Sequence, residues 1–240
     1  MKDIYHADFV RQLFNSMSAS YERMNFITSF GFSLLWRKQF IDKVGYDNSQ
    51  VEVLDLLSGL GENWTTLIKR FPNGNFQAVD FSEIMYNKSQ VKNFKKFGNR
   101  FTVHKQDILE NKLPSAKFDI VTCAFGLKTF NDKQIEIFAF TLKRILKDNG
   151  RFSFIEVSTP TNKVLLTFYR FYLKHCIPFL GKIFLGNPSD YKMLWLYTEK
   201  FENSRKVKEA FEKQGLIVDF NEYFFGCATG ISGKKNSCAV

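Results

Sequence analysis

The stretch Val51-Glu52-Val53-Leu54-Asp55-Leu56-Leu57-Ser58-Gly59-Leu60-Gly61-Glu62 constrains this chain more than any other. An apolar run of strand length ends in a turn with two glycines two apart, and a helix opens near Asn63. Glycines there let the backbone turn sharply and bring a ligand against peptide N–H groups at a helix N-terminus. About twenty residues later, Gln77-Ala78-Val79-Asp80-Phe81 ends a second strand in an acid, the position that hydrogen-bonds ribose hydroxyls in a Rossmann-like unit.

The flanking residues decide which nucleoside fits. A nicotinamide site wants Gly or Ala at the sixth position of GxGxxG, where the helix packs closely; Trp64 stands there. A pyrophosphate is poorly placed beside Asp55 and Glu62. A zwitterionic nucleoside without phosphates fits better: S-adenosylmethionine, whose amino group can use a nearby carboxylate. The competing reading is an ordinary βα turn in a nucleotide-free fold. The order and spacing of Asp55, Gly59, Gly61 and Asp80 favour the cofactor, held by the Asp55, Ser58, Gly59, Leu60, Gly61 turn and by Asp80 with Phe81.

At 240 residues, with 45% hydrophobic residues, the chain suits one α/β domain. The formal net charge of +10 predicts attraction to anionic partners. The lysines are spread along the chain, as on solvated helix faces. No basic cluster with interleaved aromatics and no Asn-Pro-Pro-Tyr type of motif after the fourth strand points to nucleic acid. Cys123, Cys176, Cys227 and Cys238 lie far apart and read as reduced thiols; His6, His104 and His175 are equally scattered, so no metal site is expected. The N-terminus lacks the charged-then-apolar plan of a secretory signal, and a cytoplasmic location is expected.

Residues 1–45 read as helical, broken at Phe30-Gly31-Phe32. From Val51 strands and helices alternate. Strands are expected at 51–56, 76–80, 101–104, 118–125 and 151–157, with late strands at 216–220 and 224–231. A helix from about Lys133 to Leu146 ends at Asp148-Asn149-Gly150. Val164 to Gly186 is rich in Leu, Phe and Tyr, but Arg170, Lys174, His175, Pro178, Gly181 and Lys182 interrupt it. That composition argues against a membrane span and for an amphipathic insertion over an apolar pocket or against lipid, or for a core helix.

Several pieces carry a resemblance. They are Leu13-Phe14-Asn15-Ser16 with Tyr21-Glu22-Arg23-Met24-Asn25, Ser29-Phe30-Gly31 with Leu35-Trp36-Arg37, and the Val53–Gly61 turn; then Ala124-Phe125-Gly126-Leu127, Leu146-Lys147-Asp148-Asn149-Gly150, Glu156-Val157-Ser158-Thr159-Pro160-Thr161-Asn162 and Asp190-Tyr191-Lys192. Nearly end to end, the chain resembles the ubiquinone/menaquinone biosynthesis C-methyltransferases, within the class I S-adenosylmethionine-dependent methyltransferases. The resemblance implies cofactor contacts at Leu60, Asp80, Asp107-Ile108 and Ala124, with Asp107 accepting from the adenine amino group and Tyr21 closing over the methionyl end. It implies S-adenosylhomocysteine as a product and a lipophilic aromatic acceptor, a demethylmenaquinol-like quinol methylated on carbon.

The departures fall near the expected acceptor. The family's Arg-Asn after Phe-Gly-Leu is Lys128-Thr129 here, its Lys-Pro is Thr159-Pro160, its Asp after the lid Tyr is Glu22, and its Tyr-Arg-Tyr is Tyr191-Lys192-Met193. Lys is not equivalent to Arg at a bidentate or stacked site. Lys128 is the expected base, through a pKa lowered by burial, or a loop lysine; Tyr191 is the second catalytic candidate, to hold the acceptor oxygen, or a packing residue. A methyltransferase of a small aromatic or polyketide metabolite, or a protein that binds the cofactor without transferring methyl, are the alternatives.

The expected architecture is a Rossmann-like α/β fold with a seven-stranded, mostly parallel sheet, residues 1–240 forming one domain. Residues 1–45 form a helical lid, 50–160 the cofactor core, 161–205 a helical cap and 206–240 the last helix and strands. Phe9, Phe14, Met17 and Phe26 on one side, with Leu166, Phe168, Phe171, Tyr172 and Phe179 on the other, are expected to wall the acceptor pocket. Lys163, Arg170, Lys174 and Lys182 are expected to face the inner surface of an anionic membrane. A homodimer is compatible with this reading.

Overall fold

The computed structural model describes residues 3–110, 112–183 and 188–237. Cys238 and the end of the Val164–Gly186 segment lie outside them. Among the described residues, seven strands form one sheet in the order β3-β2-β1-β4-β5-β7-β6. They are β1 (Glu52–Leu56), β2 (Asn75–Asp80), β3 (Phe101–Lys105), β4 (Phe118–Ala124), β5 (Leu146–Val157), β6 (Leu216–Tyr223) and β7 (Ala228–Lys235). β1 pairs in parallel with both β2 and β4, and β4 in parallel with β5, whereas β7 runs antiparallel to both β5 and β6. Chain order therefore reverses between β1 and β4, and the crevice beyond their carboxyl ends is where open α/β sheets bind ligands.

Alternation along the strands sorts the two faces. Leu54, Leu56, Val121 and Cys123 point to one side, under α6 (Asp132–Ile145) and α10 (Arg205–Lys213). There Phe138, Phe152, Phe154 and Phe211 meet at ring separations of 5.5–5.9 Å, one destination for the phenylalanine-rich composition. Val53, Ile120 and Ile155 point to the other side, against α3 (Phe32–Asp42) and α4 (Trp64–Arg70). Helix starts obey local chemistry. Ser82 caps α5 (Glu83–Phe97) by accepting from Met85 N, and Asn131 with Gln134 forms a reciprocal capping box on α6.

A third cluster lies over the carboxyl edge of the sheet. It joins α1 (Ala7–Met17) and α2 (Tyr21–Thr28) to a C-terminal cap through Leu13, Met17, Tyr21, Met24, Leu173, Ile177, Tyr191 and Trp195. The cap comprises α7 (Lys163–Phe171), a π-helical turn (Tyr172–Cys176), α8 (Ile177–Ile183) and α9 (Pro188–Phe201). Among the described residues no helix is long and apolar enough to cross a membrane.

Several boundaries differ from the sequence expectation: β5 begins at Leu146, β6 runs to Tyr223 and β7 to Lys235. The last strand starts at Ala228, because Phe224–Gly226 makes a short 3-10 turn with Phe224 and Phe225 at positive φ. α6 stops at Ile145, since Leu146 already pairs with Phe118 before a register shift lets Arg151 face Ile120. β4 ends at Ala124, as Phe125 turns away with φ 63°.

Trp64, where a tighter residue would suit a dinucleotide, is fully buried and stacks on Phe101 at 4.2 Å. Its ring also explains Gly61, which has φ 73° and where a Cβ would lie 2.5 Å from the indole. Trp64→Ala should lower the unfolding free energy by about 3–5 kcal/mol in urea titrations. Trp64→Phe should cost markedly less, because stacking on Phe101 survives and the indole N–H has no partner to lose.

Candidate functional site

The carboxyl ends of β1 and β4 are unusual in their backbone. Leu57 (φ 50°) and Phe125 (φ 63°), the residues just beyond the two strands, are both in the left-handed region, and Leu57 packs where a Cβ on Gly126 would lie 2.5 Å from it. Such strain in bulky residues marks a place where the chain is over-determined by its surroundings.

Behind this edge sits a buried polar chain. Arg37 Nη1 donates to Asn63 Oδ1 at 2.7 Å, Asn63 Nδ2 donates to Asp55 Oδ1 at 2.9 Å, and Thr122 Oγ1 donates to the same oxygen at 2.9 Å. Arg37 also lies 3.5 Å from Glu62 and over the Phe125 ring. Asp55 Oδ2 is buried and accepts no hydrogen bond, as are Ser58 Oγ and Glu62 Oε1. Burial pushes the Asp55 carboxyl up to about 7, partly offset by Asn63 and Thr122.

Asp80 is bound on both oxygens. Oδ2 accepts from Gly59 N at 2.8 Å and Oδ1 from Ser82 N at 2.9 Å; burial nonetheless raises the carboxyl to about 6. The half-buried Asp107 is also raised by burial, with Oδ1 accepting from Leu109 N.

Two cavities flank this edge. Tyr21, Gly59, Asp80, Phe81, Asp107 and Ile108 line the first. Of the other cofactor candidates, Asp55, Ser58, Leu60, Gly61 and Ala124 stand beside it rather than on its wall; Leu60 packs into the lid cluster. Tyr5, Leu57, Phe125 and Gln134 also line it; Leu57 and Phe125 lie inside motif pieces but were not read as site residues, and Tyr5 and Gln134 carried no motif signal.

The second cavity, about 370 Å³, lies between the lids and is walled mainly by aromatic and aliphatic side chains. Phe14, Tyr21, Phe125 and Thr129 belong to both cavities. Of the expected acceptor walls, Phe14, Met17, Phe168 and Tyr172 line it. Phe9, Phe26, Leu166, Phe171 and Phe179 do not: Leu166 packs into the lid cluster, while Phe26, Phe171 and Phe179 are turned to solvent.

Lys128 reaches the second cavity from the short turn after β4. Its Nζ donates to Glu156 Oε1 at 2.6 Å, and its backbone N donates to Glu156 Oε2 at 3.1 Å. Glu156 is fully buried and also accepts from Val157 N. Held this way, Lys128 donates to a buried carboxylate, whereas the sequence reading made it a base or a loop lysine. Tyr191 is not on the cavity wall. It is buried among the lid helices, its hydroxyl 2.7 Å from Ser20 Oγ, and burial raises its pKa.

Oxygens of Asp55 and Ser58 that lack a hydrogen bond, with Glu62 beside Arg37, suit a cationic group at the glycine turn, and the doubly hydrogen-bonded Asp80 carboxylate suits a diol. Fold and site together define a class I S-adenosylmethionine-dependent methyltransferase. The chain belongs to the ubiE/COQ5 methyltransferase family, whose model matches residues 1–235. It is 32% identical over 233 residues to the demethylmenaquinone methyltransferase of Lactococcus lactis, covering 95% of this chain and 90% of the relative. Identity to the demethylmenaquinone methyltransferase of Staphylococcus aureus is 31% over 210 residues, 87% and 85% of the two chains. Among solved structures, the fold resembles a methyltransferase from Aquifex aeolicus (TM-score 0.57, 20% identity, 82% and 88% covered). It also resembles phosphoethanolamine N-methyltransferase 2 of Haemonchus contortus with S-adenosylmethionine (TM-score 0.61, 13% identity), covering 84% of this chain and about half (52%) of that one.

The bare half of Asp55 has a consequence for stability. Its carboxyl titrates higher folded than unfolded, so its contribution favours the folded state below about pH 4 and is lost as pH rises through about 7. Asp55→Asn keeps the acceptor for Asn63 and Thr122 and removes the charge. In cofactor-free protein it should raise stability at pH 8 by about 1–3 kcal/mol, with the gap closing by pH 5 in thermal melts.

Proposed function

We propose that this methyltransferase acts on a ring carbon of a lipophilic hydroquinone, of the demethylmenaquinol type named for its Lactococcus and Staphylococcus relatives. The observation that carries this reading is the apolar second cavity, which shares a wall with the first and has one buried ion pair, Lys128–Glu156, beside it. An aromatic ring with a hydrocarbon tail gains about 25 cal/mol per Å² of apolar surface buried in such a place. A substrate of this kind resides in bilayers, so the enzyme works at a membrane surface.

The cofactor supplies an electrophilic methyl group when bound. Asp55 and Ser58 would hold its ammonium group with the oxygens that lack a hydrogen bond, and Glu62, beside Arg37, would add charge. Asp80 would take the ribose hydroxyls, since each of its oxygens accepts a single backbone N–H and retains a lone pair. Asp107 and Ile108 would border adenine, while Gly59 and Gly61 shape the turn. Tyr21 and Phe125, common to both cavities, would set the acceptor ring against the methyl, and such orientation is the largest contribution an enzyme makes to an in-line displacement.

Carbon methylation needs electron density beside a ring hydroxyl, which rises as that hydroxyl loses its proton. The hydroxyl proton would leave to solvent as the ring enters, and Lys128, aimed by Glu156, would then donate a hydrogen bond to the phenolate. Once the methyl is on carbon, the hydrogen on that carbon would leave to solvent as a proton and the ring regain its aromaticity. Glu156 fixes the ammonium and compensates its charge, so the pair replaces the planar guanidinium expected at this position. Tyr191 would act through Ser20 by holding the lids together.

Asp80→Ala should weaken S-adenosylmethionine binding in calorimetry by about 1.5–3 kcal/mol, the range of a charge-assisted hydrogen bond. Equal affinity would move the cofactor elsewhere.

Lys128→Met should lower kcat on reduced demethylmenaquinone by tenfold or more and leave cofactor affinity nearly unchanged. Because it strands a buried carboxylate, which costs about 3–5 kcal/mol, Lys128→Met with Glu156→Gln serves as the folded comparison. Methyl transfer to small soluble aromatics alone, with none to the quinol, would sink the proposed acceptor.

A further inference from the structure

The mouth of the acceptor cavity is ringed by exposed aromatic side chains from three remote segments. Phe30 stands in the α2–α3 turn, Phe168 on α7 and Phe224 in the β6–β7 turn, and all three line the cavity. Phe30 is 76% exposed and Phe168 70%. Around them, Phe225 (73%), Phe171 (61%) and Val164 (67%) face solvent outside the cavity wall. Val164, Phe168 and Phe171 follow helical spacing, so α7 presents an exposed apolar stripe beside the Leu165, Leu166 and Tyr169 that pack inward. Ring contacts knit the segments together: Phe30 lies 5.6 Å from Tyr172, and Phe32, beside Phe30 in sequence, 4.5 Å from Phe224.

These tips are held against local preference. Phe30 (φ 49°), Phe224 (φ 44°) and Phe225 (φ 54°) all occupy the left-handed region, which bulky residues avoid. Burial does not explain that strain, because the same side chains are turned to water. Contiguous exposed apolar surface with a polar surround marks an interaction face.

Charge identifies the partner. From residue 160 to 183 the chain carries Lys163, Arg170, Lys174, His175 and Lys182 and no acidic residue. Arg170 pairs with Glu199, while Lys163, Lys174 and Lys182 are exposed around the aromatic stripe. Glu222 stands beside Gly226 in the β6–β7 turn, but the α7 side of the rim is basic, and a second copy of this chain would bring that side against itself. An anionic bilayer complements both the charge and the apolar tips.

We propose that this rim docks the cavity mouth onto an anionic membrane surface. Phe171, Phe225 and Val164 enter the headgroup boundary, and Lys163 and Lys174 rest on phosphates. A lipophilic ring then passes from the bilayer into the cavity without crossing water. The proposal rests on the lipophilic-acceptor reading for its purpose, and on the rim alone for its geometry.

The test is cosedimentation of the full chain with vesicles of phosphatidylcholine, with and without phosphatidylglycerol. Wild type should bind vesicles containing phosphatidylglycerol, and more weakly in high salt. The double variant F171S/F225S should bind at least tenfold more weakly while methylating a short-chain quinol in detergent at the wild-type rate. K163E/K174E, a surface change that spares the aromatics, should abolish the preference for phosphatidylglycerol. Absence of vesicle binding by wild type, or equal binding by F171S/F225S, overturns the proposal. So does a dimer in sedimentation velocity that F171S/F225S dissociates while vesicles remain unbound, which would assign the rim to a second copy. Vesicle binding that follows the rim, joined to inactivity on any quinol, upholds the docking face and overturns the acceptor reading instead.

Discussion

The ligand edge of this protein depends on burying a carboxyl group at the end of its central strand. Asp55 lies between β2 and β4, in a sheet covered on both faces, where an unpartnered charge is costly. Asn63 at the start of α4 and Thr122 on β4 satisfy one oxygen, and Arg37 on α3 backs Asn63 from behind. One residue from each surrounding element is thus drawn to the same point. The glycine turn wraps around it, and Asp80 closes the turn from the next strand through Gly59 N. The other oxygen accepts no hydrogen bond, and it is there that the proposed reading sets the amino group of the cofactor.

The lids extend this arrangement to the second cavity. Asn15 on α1 accepts from Ser82, the residue whose backbone N binds Asp80, so the first lid is tied to the Asp80 side of the first cavity. Ser16 donates to Asp190, Ser20 bonds Tyr191, and Tyr197 donates to Ile4, which ties the same lid to α9. Both cavities are therefore roofed by one interlocked layer. A movement of α1 that opens one of them must also reshape Phe14 and Tyr21 in the other. That coupling suits a reaction in which two molecules have to meet without water between them.

Lys128 shows what a residue-by-residue reading can and cannot reach. Its position after β4 and its departure from an expected arginine were visible, and so was Glu156 at the end of the fifth strand. Their contact was not, because the two are 28 residues apart and meet only when β4 and β5 pair in parallel. Pairing changes the chemistry of the lysine: held by a buried carboxylate, it donates. Tyr191 is the converse case. A tyrosine on an apolar helix could face either the cavity or the helix beside it, and packing against Ser20 decided the matter.

Local physics made the order of elements legible. Strand runs, helix caps, the Gly59–Gly61 turn and the acids 25 residues apart at Asp55 and Asp80 depend on neighbours in sequence, and each was found within a few residues of its expected place. By itself, then, the sequence determined a doubly wound α/β chain with a nucleoside edge and aromatic lids. Which aromatics line the second cavity was settled by tertiary structure, since helical spacing groups residues on a face but does not say what that face meets. The Arg37–Asn63–Asp55 chain, the Lys128–Glu156 pair and the exposed phenylalanine rim likewise join segments remote in sequence. Their contacts come from how lids and sheet edge pack together, a choice that no local pattern encodes.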